Sequence, residues 1–369
     1  MSENVLLLCH NYTAPFLSVA VQYIRLFEES NYKVVTVFLK GEKSQEVIDT
    51  CGVEDVIFCN YSSADIGGLK RAPIKRIKQL HEYYNFKFCV AHRFKSIFIS
   101  THIPELFVVG VCHIDSVFKR WMRRYHVYRC KNLRLLGVSK AIRDDVREAL
   151  ADLEEDKIQH LYNCLDFNKI RKSLYSRKEA RKKLGLDPDA FLFVNVGRLH
   201  EDKDQDTLIK GFHKASGNMP NAKLVIAGAG RLKDQLKQQA KDLGIKDKVI
   251  FLGMVPEVRR YLRAFDSFVL SSIREGLPVA MLEAFAAELV CCASLCNGNT
   301  EAIEGVGYSF PIGDFIALSQ NLHDIYKLSE VEKQEIVDKM NTKIESCFTQ
   351  KAVNRAFWDL DFMREYKNF

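Results

Sequence analysis

The stretch Arg274–Phe285, REGLPVAMLEAF, sets two carboxylates, Glu275 and Glu283, around a Gly276-Leu277-Pro278 turn. The second carboxylate falls inside an apolar helical pattern and points away from the first, so the two cannot share one proton. They suit separate grips on one extended ligand. Pro278 fits the first helical position, and Gly276 lets backbone approach a ligand closely. The unpaired N–H groups of a helix start there favour anions and hydroxyls. An acid before a helix also simply stabilises its dipole, which accounts for Glu275 but not for Glu283 beside Ala284 and Phe285.

A second stretch, FVNVGRLHEDKD (Phe193–Asp204), runs from an apolar strand into Gly197, Arg198 and Lys203. An arginine fork and a lysine point charge at a strand's carboxyl end can converge on a diphosphate, or they can be two solvated cations in a polar loop. Asp204-Gln205-Asp206 has the spacing of a metal-binding D-x-D but is better explained as a helix start. His92 and His113 each end an apolar strand, and Asp115 follows as a possible partner for His113. A lone histidine is more often structural; two at equivalent strand ends raise the odds of function.

The elements that must position these groups are legible as alternation. Apolar runs at Val5–Cys9, Lys33–Leu39, Val56–Phe58, Lys87–Ala91, Leu106–Cys112 and Arg134–Val138 are separated by amphipathic helices such as Ser18–Glu29 and Lys140–Leu150. After a weakly periodic connector, Asp166–Pro188, the pattern restarts at Phe191–Val196, Lys223–Ala227, Val249–Leu252, Ser267–Leu270 and Leu289–Ala293. Near-continuous apolar strands between helices predict parallel sheets covered on both faces. The expected fold is α/β, two Rossmann-like doubly wound domains facing a cleft: residues 1–170, joined by a C-terminal helix at 349–369 that packs back across the junction, and residues 171–348. Ligands of such sheets bind at the carboxyl ends of strands. A dinucleotide is excluded, because the first such loop, Cys9–Phe16, has no glycine, and Gly228-Ala229-Gly230 meets Lys233 where a third glycine belongs.

Composition bounds the rest. Hydrophobic residues at 47% with 27% charged describe a globular chain, and no apolar run reaches the roughly 18 residues of a membrane span. The N-terminus lacks the basic region of a signal peptide, and the eleven cysteines form no repeated framework, which points to a reducing cytoplasm and no structural metal. The net charge of +7 is concentrated in LKRAPIKRIKQLH (Leu69–His81) and FKRWMRRYHVYRCKNLR (Phe118–Arg134). Basic residues interleaved with Trp121, Tyr125 and Tyr128 suit an anionic membrane surface or a nucleic-acid backbone, and a solvated helix face is the commoner meaning of such runs.

The ordered set VGRLHEDKD, VIAGAGRLKDQLKQQAKDLGIKDKVIFLG, AFDSFVLSS and Glu-x7-Glu, along Leu192–Asp314, resembles the C-terminal domain of retaining GT-B glycosyltransferases of family 4. LLGVSKAIRDDV (Leu135–Val146) and KIQHLYNCLDFNKI (Lys157–Ile170) resemble the family more loosely. The resemblance implies that Arg198 and Lys203 hold the donor diphosphate in place of a metal. It implies that Glu275 and the Gly276-Leu277-Pro278 backbone contact the donor sugar and that Glu283 binds the nucleotide ribose. Gly197 lies in the phosphate loop, Gly253, Met254 and Val255 border the base, and His113 sits by the sugar. Three places depart from the family pattern: the glycine-free loop Asn11-Tyr12-Thr13-Ala14-Pro15, the segment Ala287–Val290, and CNGNTEAI (Cys296–Ile303).

The expected function is sugar transfer from a UDP- or GDP-linked donor, with no cofactor or metal, to a glycan or lipid-linked acceptor in surface polysaccharide or lipopolysaccharide synthesis. The enzyme is expected to be cytoplasmic, peripheral on the inner membrane face through its basic helices, and without a nucleic-acid partner. A sugar-nucleotide epimerase on the same fold and a non-catalytic nucleic-acid binder are the alternatives.

Overall fold

The computed structural model describes residues 3–13 and 16–367. Ala14 and Pro15 of the glycine-free loop, and Asn368 and Phe369 of the C-terminal segment, lie outside the described residues. The chain divides into two compact units, 1–164 with 350–369, and 165–349. The boundary falls six residues before the 170/171 junction expected from the sequence.

The first unit holds β1 (Glu3–Cys9), β2 (Tyr32–Phe38), β3 (Asp55–Phe58), β4 (Phe88–His92), β5 (Phe107–Cys112), β6 (Leu133–Gly137) and β7 (Ile158–His160). They form one sheet in the order β3-β2-β1-β4-β5-β6-β7, every pairing parallel. Val5 to Leu8 and Phe88 to Ala91 are wholly buried, as continuous apolar strands covered on both faces must be. The order reverses between β1 and β4, so the crevice beyond their carboxyl ends is this unit's natural ligand site. The C-terminal helix Gln350–Trp358 and the turn Asp361–Tyr366 belong here. Trp358 Nε1 donates to the Leu26 carbonyl at 3.0 Å, and the Tyr32 hydroxyl donates to the Tyr366 carbonyl at 2.8 Å.

The second unit holds β8 (Phe191–Val196), β9 (Ala222–Ala227), β10 (Val249–Gly253), β11 (Ser267–Leu270), β12 (Val290–Ser294) and β13 (Tyr308–Phe310). Their order is β10-β9-β8-β11-β12-β13, again all parallel, with the reversal between β8 and β11. The weakly periodic connector contains two helices, Phe167–Ser173 and Arg177–Leu184, N-capped by Asp166 and Ser176. Arg181, 3% exposed, fastens the second of them to the sheet: its guanidinium donates to Ala264, Asp187 and Pro188 carbonyls and to Asp266 Oδ2. Asp266 Oδ2 also accepts from the Leu192 amide, so the buried guanidinium makes four hydrogen bonds, one of them to a carboxylate itself held by backbone.

Candidate active site

Two of the sequence-predicted residues, Lys203 and Glu275, meet at the reversal point of the second sheet. The loop after β8 turns through Glu201–Lys203, and Asp204 caps the following helix Gln205–Ala215 by accepting from the Thr207 amide. This is the helix start expected for Asp204-Gln205-Asp206. Lys203 Nζ lies 2.5 Å from Glu275 Oε1, the two side chains being 18% and 13% exposed. Ser272 Oγ donates to the same oxygen at 2.7 Å. Glu275 Oε2 has no hydrogen-bond partner among the described residues. The loops are tied beneath this pair: Ser271 Oγ donates to the Lys203 carbonyl, and the Ile273 amide donates to the Asp202 carbonyl.

A second layer of support was not foreseen from sequence. Ser294 Oγ, at the end of β12, donates to the Ser272 carbonyl at 2.5 Å, and Asn299 Nδ2 donates to Ser294 Oγ. The segment Cys296–Ile303, a departure from the family pattern, forms the helix Asn297–Ile303. A Cβ at Gly298 would lie 2.1 Å from the Gly276 carbonyl oxygen, so only glycine lets this helix abut the Glu275–Gly276 turn. The cue available in sequence is a glycine in the first turn of a helical pattern.

Arg198 is placed differently from Lys203. Its side chain is 71% exposed and reaches Asp202 Oδ2 at 3.3 Å, leaving the guanidinium at the surface of the loop. Gly197, Gly228 and Gly253 are laced together. The Gly197 amide donates to the Ala227 carbonyl and the Gly228 amide to the Gly253 carbonyl, and a Cβ at Gly228 would nearly coincide with the Gly197 carbonyl oxygen. This brings the three loops after β8, β9 and β10 into contact. Met254 beside them is exposed and Val255 half-buried.

The helix expected to begin at Pro278 begins at Val279, with Pro278 in the cap position at φ −79°, ψ 82°. Leu277 is half-buried beside it. Glu283 is half-buried in this helix, and its carboxylate makes no hydrogen bond or ion pair among the described residues. Burial pushes its carboxyl above the usual range, while the charge of Arg259 pulls the other way.

In the first unit, β4 ends at His92 and β5 delivers His113 one residue past its end. The two rings meet edge to edge: His92 Nδ1 lies 2.9 Å from His113 Nε2, with the ring planes 23° apart and the centroids 5.1 Å apart. Burial and the neighbouring His113 push His92 well below the usual histidine range, and burial with Arg93 pushes His113 down to about 4. Both are neutral at physiological pH. The partner expected for His113, Asp115, is not its ring's contact; His92 is. Arg93 and His10, which sequence reasoning passed over, lie at the same carboxyl edge. Arg93 adopts φ +70° and sets its guanidinium over the Phe16 ring, and His10 is pushed down to about 4 by burial, then by Arg93, Lys95 and Lys40.

The two basic runs converge on one surface of this unit. They form the helices Arg71–Tyr84 and Trp121–Arg129. Lys70 Nζ stands 4.3 Å over the Phe98 ring and Arg123 4.7 Å over Phe94. Burial, then Lys95 and Arg123, press Lys70 below its ordinary value, so these cations share one neighbourhood. Around it Trp121, Met122 and Tyr125 are exposed and border a groove with Phe98, His102 and Arg129. Among the described residues no helix is long and apolar enough to cross a membrane.

Residues 176–343 match the family glycosyl transferases group 1. The chain is 24% identical over 315 residues to the uncharacterized glycosyltransferase MJ1059 of Methanocaldococcus jannaschii, covering 78% of this chain and 74% of that protein. It is 34% identical over 146 residues to UDP-Gal:alpha-D-GlcNAc-diphosphoundecaprenol alpha-1,3-galactosyltransferase of Escherichia coli, covering 39% of this chain and 38% of that enzyme. Relatives at 29–34% identity are covered over less than half of their own length. The fold matches that of a glycosyltransferase from Rickettsia africae with a TM-score of 0.82 at 13% identity, over 99% of this chain and 98% of that one. Residues 176–343 are thus similar to the glycosyl transferases group 1 family, within a chain that has the two-domain GT-B fold.

Proposed function

We propose that the protein is a retaining glycosyltransferase of the family 4 type, moving a sugar from a UDP- or GDP-linked donor to a glycan or lipid-linked acceptor. The observation that carries this reading is the Lys203–Glu275–Ser272 cluster at the reversal point of the second sheet, within the residues that match the group 1 family. A lysine ammonium and the exposed Arg198 guanidinium on one loop can neutralise a departing diphosphate, the largest charge that develops in such a transfer. No divalent metal is needed in this account. Glu275 keeps one carboxylate oxygen open for a sugar hydroxyl while the other is held by Lys203 and Ser272. Glu283, a half-buried carboxyl without a protein partner, suits the two hydroxyls of a ribose, with Gly253, Met254 and Val255 at the base. His113 is assigned to the sugar by the family resemblance. Retention follows from attack of the acceptor on the leaving-group face, with diphosphate oxygen taking the acceptor's proton.

The Escherichia coli relative acts on UDP-Gal and a diphosphoundecaprenol-linked acceptor, as its name states. A lipid-linked acceptor in surface-glycan synthesis, at the cytoplasmic face of a membrane, suits the cationic, aromatic surface of the first unit. A thermal-shift screen of UDP-, GDP- and ADP-sugars tests the donor site. A micromolar ligand at millimolar concentration stabilises by about 4 kcal/mol. Arg198→Ala and Glu275→Ala are expected to weaken the shift and abolish transfer, and EDTA is expected to leave transfer intact. Unchanged shift and activity in both variants would overturn the site. Epimerised donor without sugar transfer to an added acceptor would overturn the reaction.

A further inference from the structure

A neutral imidazole carries one N–H and one bare nitrogen, so the 2.9 Å contact between His92 Nδ1 and His113 Nε2 requires one shared proton and allows two arrangements. If His113 donates from Nε2, His92 must carry its proton on Nε2. That atom is buried in a residue 3% exposed and has no hydrogen-bond acceptor within reach among the described residues. If His92 donates from Nδ1, its Nε2 is a bare acceptor instead. An unpaired buried N–H is the rarer and costlier of the two orphans. The Tyr23 ring packs perpendicular to His92 at 4.5 Å and 89°, and His113 lies nearly coplanar with it, 23° between the planes and 5.1 Å between centroids, as a hydrogen bond in the plane of both rings requires. His113 Nδ1 makes no hydrogen bond among the described residues and remains available for a ligand.

We infer that His92 is a positioning residue: donating Nδ1–H to His113 Nε2, it holds His113 in the tautomer whose Nδ1–H is presented to a substrate oxygen. His113 is then a neutral hydrogen-bond donor and not a base, since its one acceptor nitrogen is occupied. The inference rests on the proposed function only for the identity of the substrate oxygen, a sugar hydroxyl or a phosphate.

Long-range proton–nitrogen correlation spectra of the full chain, labelled with nitrogen-15 in histidine, read the tautomers directly at neutral pH. His113 is expected to be protonated at Nδ1 and bare at Nε2. His92→Phe keeps a buried ring against Tyr23 but removes the donor, so His113 should relax to a tautomer mixture. Its kcat should fall roughly tenfold with little change in donor KM, the loss of about one net hydrogen bond. His92→Asn places an amide N–H near the lost donor and should restore both the Nδ1–H tautomer and most of kcat. A wild-type His113 protonated at Nε2, or an unaltered tautomer in His92→Phe, overturns the inference. A chain that shows the expected tautomers yet transfers no sugar overturns the functional reading and not this one.

Discussion

At the scale of single residues, the two cations of the diphosphate loop have different standing. Lys203 is mostly buried and paired with a mostly buried Glu275, whereas Arg198 projects from the loop and its bond to Asp202 is a surface pair. Removing one member of a buried pair strands the other, while exposed pairs contribute little. Lys203→Met and Glu275→Gln are each expected to cost about 2–3 kcal/mol, and the double variant less than their sum, with a coupling of about 1–3 kcal/mol. Arg198→Ala should stay within about 0.5 kcal/mol. Urea unfolding of the four variants checks this, and an Arg198→Ala loss as large as that of Lys203→Met would refute it. The result separates holding the loop from binding the donor, since Arg198 is then free to act on ligand alone. Glu275 makes no cap hydrogen bond to the helix that begins at Val279: its carboxylate bonds a lysine and a serine. Residue types and order singled out Lys203 and Glu275, which the structure pairs, and Arg198, which it leaves at the loop surface. Ser294 and Asn299 were not singled out, because only the parallel pairing of β11 with β12 carries them beneath the loop after β11.

At the scale of elements, the helix Trp121–Arg129 exposes large apolar side chains, Trp121, Met122, Tyr125 and Tyr128. Lys70, Lys95 and Arg123 cluster beside it, and none of the three is ion-paired among the described residues. Each cation held near an anionic bilayer is worth about 1 kcal/mol, and exposed Trp121 and Tyr125 suit the interfacial layer. Vesicles containing anionic phospholipid should therefore bind the protein at low salt and release it at high salt, with neutral phosphatidylcholine vesicles binding at least tenfold less. Lys70→Glu with Arg123→Glu should abolish the difference in a sedimentation assay. Equal binding to both vesicle types would remove the electrostatic account. The basic run itself spans Phe118–Arg134, yet only nine residues of it are helical; charge repeats announce a surface more reliably than its secondary structure. Strands long enough to show an apolar run were recoverable within a residue or two. β7 and β13, three residues each at sheet edges, carry too few side chains to leave a period. The connector helices were missed for another reason: their stability comes from caps and from the Arg181 clamp rather than from a broad apolar stripe.

At the scale of the whole molecule, the restart of the strand pattern after the connector made two α/β units legible, but not the uneven way their titrating groups are shared. His10, His113, His126 and His160 are each pushed down to about 4 by burial, and burial pushes His92 well below the usual histidine range. All five lie in the first unit. As pH falls below 6.5 the unfolded chain takes up protons that the folded unit refuses, so stability is lost progressively down to about 4. Asp145, a raised carboxyl in the same unit, works in the opposite direction but stands alone against five. The second unit carries raised carboxyls at Asp204 and Glu283, which favour its folded form on acidification, and depressed surface carboxyls at Asp187, Glu201, Glu330 and Glu332, which work the other way only once pH reaches the ordinary carboxylate range. The two units should therefore part company between pH 7 and pH 5. Trp121 and Trp358 both belong to the first unit and are the only tryptophans of the chain, so their fluorescence reports that unit alone. The fluorescence melting temperature is expected to drop by roughly 5–10 °C from pH 7 to pH 5, while a later circular-dichroism transition from the second unit holds its position or rises. A second-unit transition that falls in step with the tryptophan signal would show that the acid sensitivity is not confined to the buried histidines of the first.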